Sequence, residues 1–422
     1  MYRLIAAMLA AASCATIAQA QSAPPPVVEV GATLSLDQAL SMAGASAPTL
    51  DAAEADINAA AAARTVAGLR PNPSISVEAE NVAGSGPYRG TQSLETTISF
   101  ALPIELGGKR SARIGVADAR SRRVAVQAAI TQADLRFNVI QAYAEAAAAQ
   151  QRLVTASDQA RIAAEGFRAA QVRVQAGRAS PIEMQRADVA RINADADVER
   201  AQRLVEVSRF SLSKLIGQTV SGTLDTNWFT GVRSNYGPLR EIDSTGTLAM
   251  AAAEADLAVA DAGVRLARSQ RVPDLTVGAG ARYMRETGDT AALFSLTIPL
   301  PLFNNGTAAV DQASSERLRA EAQKRVTAQE VDQAIARAQA DAANAATSAV
   351  TAKGPALAAA EEAARIARIG YREGKFGQLE LLDAERTLAE TRLAAIDALL
   401  NYHNAQAQLE RLTVRAPDLE GN

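Results

Sequence analysis

The sequence predicts a mainly α-helical chain with a small β part, and three observations predict it. The chain is written twice, with the same order of segments in each half. Each half holds two short segments with period-two hydrophobicity. The remainder is Ala-rich helical sequence of uncommon length. Of 422 residues, 48% are hydrophobic but only 4% aromatic. Such thin side chains let helices approach closely yet fill a wide globular core poorly. With 43 Lys+Arg against 46 Asp+Glu there is no basic excess, so no nucleic-acid partner is expected. One Cys excludes a disulfide framework and a Cys-based zinc site, and one His excludes paired-histidine metal sites. No metal site and no cofactor are expected.

Residues 1–20 read as an export signal, with Arg3 as the positive region, Leu4 to Ala12 as the apolar stretch and Ala18-Gln19-Ala20 as the cleavage site. Its removal takes away Arg3 and leaves 42 basic to 46 acidic residues. A lipoprotein signal that keeps and acylates Cys14 is the alternative; Ala11 stands where such a site wants a branched residue. No later stretch approaches ~18 uninterrupted apolar residues. If the exported chain spans a membrane, it must do so as β-strands.

The repeat sets the domain organisation. AAEAD at 52–56 returns at 252–256, and Pro73 and Val77 return as Pro273 and Val277, an offset of 200. Ser99 to Pro103 aligns with Ser295 to Pro299 at 196, and Gly177-Arg178 with Gly374-Lys375 at 197. A unit this long is a duplicated half, not a solenoid repeat of ~20–50 residues. The expected boundaries are 21–220 and 247–415 for the two repeats, 221–246 for a linker and 416–422 for a tail.

Each half opens on a helix, Leu36 to Leu69 or Leu248 to Gln270. Strands follow at Ser74 to Asn81, Glu95 to Leu102, Asp274 to Tyr283 and Phe294 to Leu302. Ile75, Val77, Ile98, Phe100, Phe294 and Leu296 fall on apolar faces, while Ser76, Glu78, Thr97 and Ser295 fall on polar ones. The pattern fits transmembrane strands with lipid on one side and water on the other. It fits equally a half-buried soluble hairpin. Four strands cannot close a barrel, since the smallest have ~8, so four must be shared between copies or make none. Val82 to Ser93 and Met284 to Thr290 read as outward loops.

Long helices complete each half. Val116 to Ala176 holds only Gly166 as a breaker, and Gly354-Pro355 predicts a break or kink in the matching helix. In the last helix Leu379, Leu382, Ala389, Leu393, Ile396, Leu400, His403 and Ala407 follow a coiled-coil spacing, which makes His403 a packed or hydrogen-bonded residue. Gly177 to Pro181 and Gly374 to Gly377 reverse the chain between long helices.

These residues resemble the TolC-type family of outer-membrane efflux proteins. Leu102 to Arg110 (LPIELGGKR), Leu300 to Gly306 (LPLFNNG) and Gly370 to Glu385 (GYREGKFGQLELLDAE) look like its CzcC-like heavy-metal branch. The resemblance implies a homotrimer in the outer membrane. Its twelve-stranded transmembrane β-barrel, four strands per chain, is continued by a long periplasmic α-helical barrel. It implies a passive exit duct for heavy-metal cations, of the cobalt, zinc and cadmium or the copper type, joined to a periplasmic adaptor protein and an inner-membrane RND-type pump. It places a periplasmic gate at Glu380 and Asp383, with Tyr371 before the turn, and adaptor docking at Gly177, Arg178, Gly374 and Lys375. The family's closing arginine falls at Phe376 here, which moves that lock to Lys375 or Arg372 or removes it. An ordinary solvated helix face at Glu380 and Asp383 remains the other reading.

No enzyme is expected. Gly84-Ser85-Gly86 lies in a loop without a following helix, unlike a nucleophile elbow. No phosphate-loop motif occurs. Two further readings stay open: a drug or type I protein-secretion channel of the same family, and an exported coiled-coil scaffold without a pore.

Overall fold

The computed structural model describes residues 33–233 and 242–417. The export signal with Cys14, part of the linker and residues 418–422 of the tail lie outside the described residues. In chain order the elements are α1 (Leu36–Ser46), α2 (Pro48–Ala67), β1 (Ser74–Glu80), β2 (Glu95–Ile104), α3 (Lys109–Gln175) and α4 (Pro181–Ile216). Then follow α5 (Thr226–Thr230), α6 (Leu248–Gln270), β3 (Leu275–Met284), β4 (Asp289–Thr297), α7 (Thr307–Thr351), α8 (Leu357–Arg372) and α9 (Gln378–Thr413). The 67 residues of α3 span about 100 Å at the α-helical rise. Among the described residues no helix is long and apolar enough to cross a membrane.

The four strands form one antiparallel sheet in the order β1-β2-β3-β4. Its register puts Val77 beside Ile98 and Ile98 beside Ala281, then Phe100 beside Ala279 and Ala279 beside Phe294. The apolar residues of all four strands therefore share one face. That face is open: Phe294 is 86% exposed and Val77 67%. On the other face Arg282 binds Glu80 at 3.1 Å, Glu95 at 2.9 Å and the Thr97 hydroxyl at 3.0 Å, and Ser76 meets Ser99 at 2.7 Å.

The junction from sheet to helix is close-packed. Gly107 has φ +71°, and a Cβ there would stand 2.8 Å from the Ser269 carbonyl and closer still to Val272. Beside it Lys109 pairs with Asp274 at 2.7 Å and Arg113 clasps Glu105 with both terminal guanidinium nitrogens. The bond from Arg113 holds the Glu105 carboxyl below its usual value.

Midway along α3 lies the main core. Val139, Tyr143, Ala146 and Ala147 pack with Leu212 and Ile216 of α4, Phe229 of α5 and Leu399 of α9. Tyr143 donates its hydroxyl to the Leu34 carbonyl at 2.8 Å. His403 is buried, 2.8 Å from the Phe229 carbonyl, with the Trp228 ring 4.0 Å away. It is packed and hydrogen-bonded, as its place on the seam predicts.

Two expectations change and two are refined. The first helix is two helices, because Ala47 turns extended before Pro48, and Pro48 starts α2 at a position where its missing N–H costs nothing. The fourth strand runs Asp289–Thr297, not Phe294 to Leu302. A tight turn with Gly288 at φ +75° starts the pairing early at Met284–Asp289, and the ladder ends at Thr297, before Pro299 and Pro301. At Gly354-Pro355, where a break or kink is expected, the α-helix is interrupted by one π turn over Ala352–Ala356, where Lys353 reaches the Thr230 carbonyl at 2.6 Å. The buried face of α9 is wider than the expected seam: Ile396, His403 and Ala407 are buried as the spacing predicts, Glu385, Leu388, Leu399 and Tyr402 are buried beside them, and Leu379 and Leu393 are exposed. That wider face packs against three helices, α3, α7 and α8.

Candidate functional site

The end of the molecule opposite the sheet carries the residues that the sequence singles out. Two turns stand there, and their backbones match. Gly177 and Gly374 hold φ of +69° and +72°. Arg178 N–H donates to the Arg173 carbonyl at 2.8 Å, and Lys375 N–H to the Gly370 carbonyl at 2.8 Å. Both close an α-helix through a left-handed glycine, which a side chain would strain. Ser180 then caps α4 with Pro181 in its first turn, whereas Gly377 opens α9 without a side-chain cap.

The gate candidates sit in two different environments. Glu380 and Asp383 are exposed. Glu380 lies in the first turn of α9 and its carboxylate folds back toward Gly377, where the helix N-terminus favours negative charge. Asp383 lies near Arg386, whose guanidinium is bound to Glu390 at 2.7 Å. Tyr371 is buried, and the Arg173 guanidinium covers its ring at 4.9 Å. Arg178 and Lys375 are exposed, with Lys375 held to Glu373 at 2.6 Å. Phe376 lies against Gly370, a contact only glycine leaves room for.

Two fasteners escaped the sequence reading. Arg368 of α8 grips both carboxylate oxygens of Glu385 on α9, which raises the guanidinium above its ordinary pKa. Gln378 donates to the Glu183 carbonyl at 2.8 Å and so ties the start of α9 to the start of α4. The only available signal was a charged residue, Glu385, at a buried helical spacing. Between the two hairpins lies a cleft of about 670 Å³, lined by Arg161, Glu165, Asn193, Arg368, Glu385 and Arg386 among others.

An amphipathic sheet with an open apolar face, continued by helices of this length, defines a membrane-anchored subunit of a helical conduit. Comparison with known proteins agrees. The chain belongs to the family described as Outer membrane efflux protein, whose profile matches residues 39–218 and 246–414. It is 30% identical over 396 residues to the cobalt-zinc-cadmium resistance protein CzcC of Cupriavidus metallidurans, covering 92% of this chain and 91% of that protein. It is 29% identical over 301 residues to the nickel-cobalt-cadmium resistance protein NccC of Alcaligenes xylosoxydans xylosoxydans, covering 70% and 65%. Among solved structures, CusC, described as forming a transmembrane channel, superposes with a TM-score of 0.76 at 18% identity, covering 90% of this chain and 92% of that one. The chain is therefore an outer-membrane efflux protein with a TolC-like fold, its sheet in the outer membrane and its helices in the periplasm.

Proposed function

We propose that three copies of this chain form a passive duct through which heavy-metal cations, of the cobalt, zinc, cadmium or nickel kind, leave the cell. Each copy contributes four strands to a shared twelve-stranded barrel. The duct does no chemistry. An inner-membrane pump drives the cations, and a periplasmic adaptor joins pump to duct at the turns around Gly177, Arg178, Gly374 and Lys375. The observation that carries the reading is the sheet itself: its apolar face is exposed, and among the described residues both edge strands, β1 and β4, lack an outer neighbour. A sheet so built is completed by further strands and by lipid. Cobalt, zinc and cadmium come from the near full-length likeness to CzcC, and nickel from the likeness to NccC.

At the entrance, threefold symmetry turns Glu380 and Asp383 into rings of carboxylates. A ring of one sign in a narrow passage concentrates counter-ions and repels like charge. The cations need no tight binding on the way; transit requires that they leave again. Deleting the gene in its host should raise sensitivity to these metals, and the intact gene should restore resistance. Restored resistance to drugs but not to metals would refute the metal reading, and a soluble periplasmic protein would refute the duct.

A further inference from the structure

The polar face of the sheet divides into two zones. Toward the helices it is built from small residues: Ser76, Ser99 and Gly280 stand in one cross-strand row, and Gly278 and Ser295 in the next. A Cβ at Gly280 would stand 2.5 Å from the Ile98 carbonyl, so the sheet admits no side chain there. Toward the loop that joins β1 to β2, away from the helices, the same face carries Glu78, Glu80, Glu95 and Arg282. The large charged side chains of this face are gathered at its outer end.

Glu80 and Glu95 stand directly opposite one another in the ladder of β1 with β2. Like charges so placed repel. Arg282 reaches them from the third strand, at 3.1 Å from Glu80 and 2.9 Å from Glu95. Its own partner in register is Thr97, whose buried hydroxyl accepts from the guanidinium at 3.0 Å and fixes it in place. Glu78 is exposed and enters no ion pair among the described residues. Three carboxylates against one guanidinium leave this zone net negative in each chain.

Two neighbouring carboxylates suit a divalent metal ion, since zinc takes carboxylate oxygens at about 2.0–2.2 Å. A duct needs the opposite at its exit: binding weak enough that the ion leaves. The guanidinium is always charged and meets two acceptors at once through its planar fork, which an ammonium does less well. It therefore fills the space between Glu80 and Glu95, while Glu78 keeps the local field attractive to cations.

We propose that Arg282 sets how readily divalent cations leave at the outer mouth, by occupying the place between Glu80 and Glu95 that such an ion would otherwise take. The proposal rests on the duct reading and assigns a residue to the release step. A purely structural role, holding β1, β2 and β3 together, requires the same contacts but makes no difference to how a metal ion blocks the pore.

The test uses the full-length protein reconstituted in planar bilayers. Potassium current is recorded while Zn2+ is added on the side of the strand loops, and the oligomer's dissociation temperature is read on a gel in parallel. The half-blocking Zn2+ concentration should fall about tenfold or more in Arg282→Gln, where the carboxylate pair is left open. Arg282→Lys keeps the charge but bridges the pair less well, and should give a smaller fall in the same direction. Adding Glu80→Gln to Arg282→Gln breaks up the pair and should return the half-blocking concentration to the native value. Native block in Arg282→Gln, or in Arg282→Lys where that variant alone reaches the membrane, would overturn the proposal. A lowered dissociation temperature with native block would then assign Arg282 to the structure of the sheet and leave the duct reading standing. A native protein that forms no channel would overturn both.

Discussion

The guanidinium of Arg173 lies 4.9 Å from the ring centroid of Tyr371, and so clamps the end of α3 onto the end of α8. The two residues belong to different halves of the duplicated chain. The tyrosine placed at the entrance by resemblance thus fastens one hairpin to the other within a single copy. Stacking a cation on an aromatic face is worth about 0.5–2 kcal/mol. Tyr371→Ala and Arg173→Ala should therefore each loosen the tips and raise the resting conductance of reconstituted channels. Tyr371→Phe, which keeps the ring, should leave conductance near the native level. An increase in Tyr371→Phe equal to that in Tyr371→Ala would assign the effect to the hydroxyl instead.

On the sheet, the two faces should respond differently to Arg. At Ile98, Phe100 or Phe294 it faces lipid and should cost about 2–4 kcal/mol near the membrane centre. Outer-membrane assembly, read as heat-modifiable oligomer on a gel, should fall accordingly. At Ser295, on the polar and exposed face, the same change should be mild. Thr97 shares that polar face but is buried beside Arg282, so Thr97→Arg sets two guanidinium groups together and should be as damaging as a lipid-face change.

Adaptor docking should depend on the tip charges. Arg178→Glu combined with Lys375→Glu should weaken capture by the cognate adaptor and leave the oligomer intact. The second change adds a carboxylate beside Glu373 and so strengthens the reversal. Unchanged capture would remove charge at these turns from the docking account.

Acid should weaken the fold through His403. Burial lowers its pKa below the ordinary 6.5, and the bond to the Phe229 carbonyl opposes this only in part. The unfolded chain therefore takes up the proton at higher pH than the folded chain does. Stability from this residue is whole above about pH 6.5 and declines as pH falls toward the lower folded value. Melting temperatures at pH 8 and pH 5 should differ more for the native protein than for His403→Gln. Equal differences would place the acid response elsewhere.

Much of this architecture was legible because its signals are local. Period-two alternation marked Ser74 to Asn81, one residue beyond the strand's end at Glu80, and Glu95 onward, and repeated Gly at 177 and 374 marked the turns. Less legible was whatever depends on a neighbour. The fourth strand shifted because β3 fixes where β4 pairs, not because Phe294 to Leu302 lacks strand character. The buried face of α9 is wider than the seam because three helices, α3, α7 and α8, pack on it. Arg368–Glu385 and Gln378–Glu183 join residues that no spacing rule links, since each spans two helices. Glu380 and Asp383 could be placed on the helix after the turn, but not their unlike surroundings. Only the structure sets Glu380 over Gly377 and Asp383 near Arg386.

The central claim, that this chain forms a duct whose entrance favours cations, is met most directly by the reversal potential of the reconstituted protein across a planar bilayer under a salt gradient. The native protein should show cation preference, declining at high salt as the screening length shortens to about 3 Å at 1 M. Glu380→Gln with Asp383→Asn keeps the shape and deletes the charge, and its reversal potential should move to near zero. A native protein without conductance, or a double variant with its cation preference intact, would contradict the account.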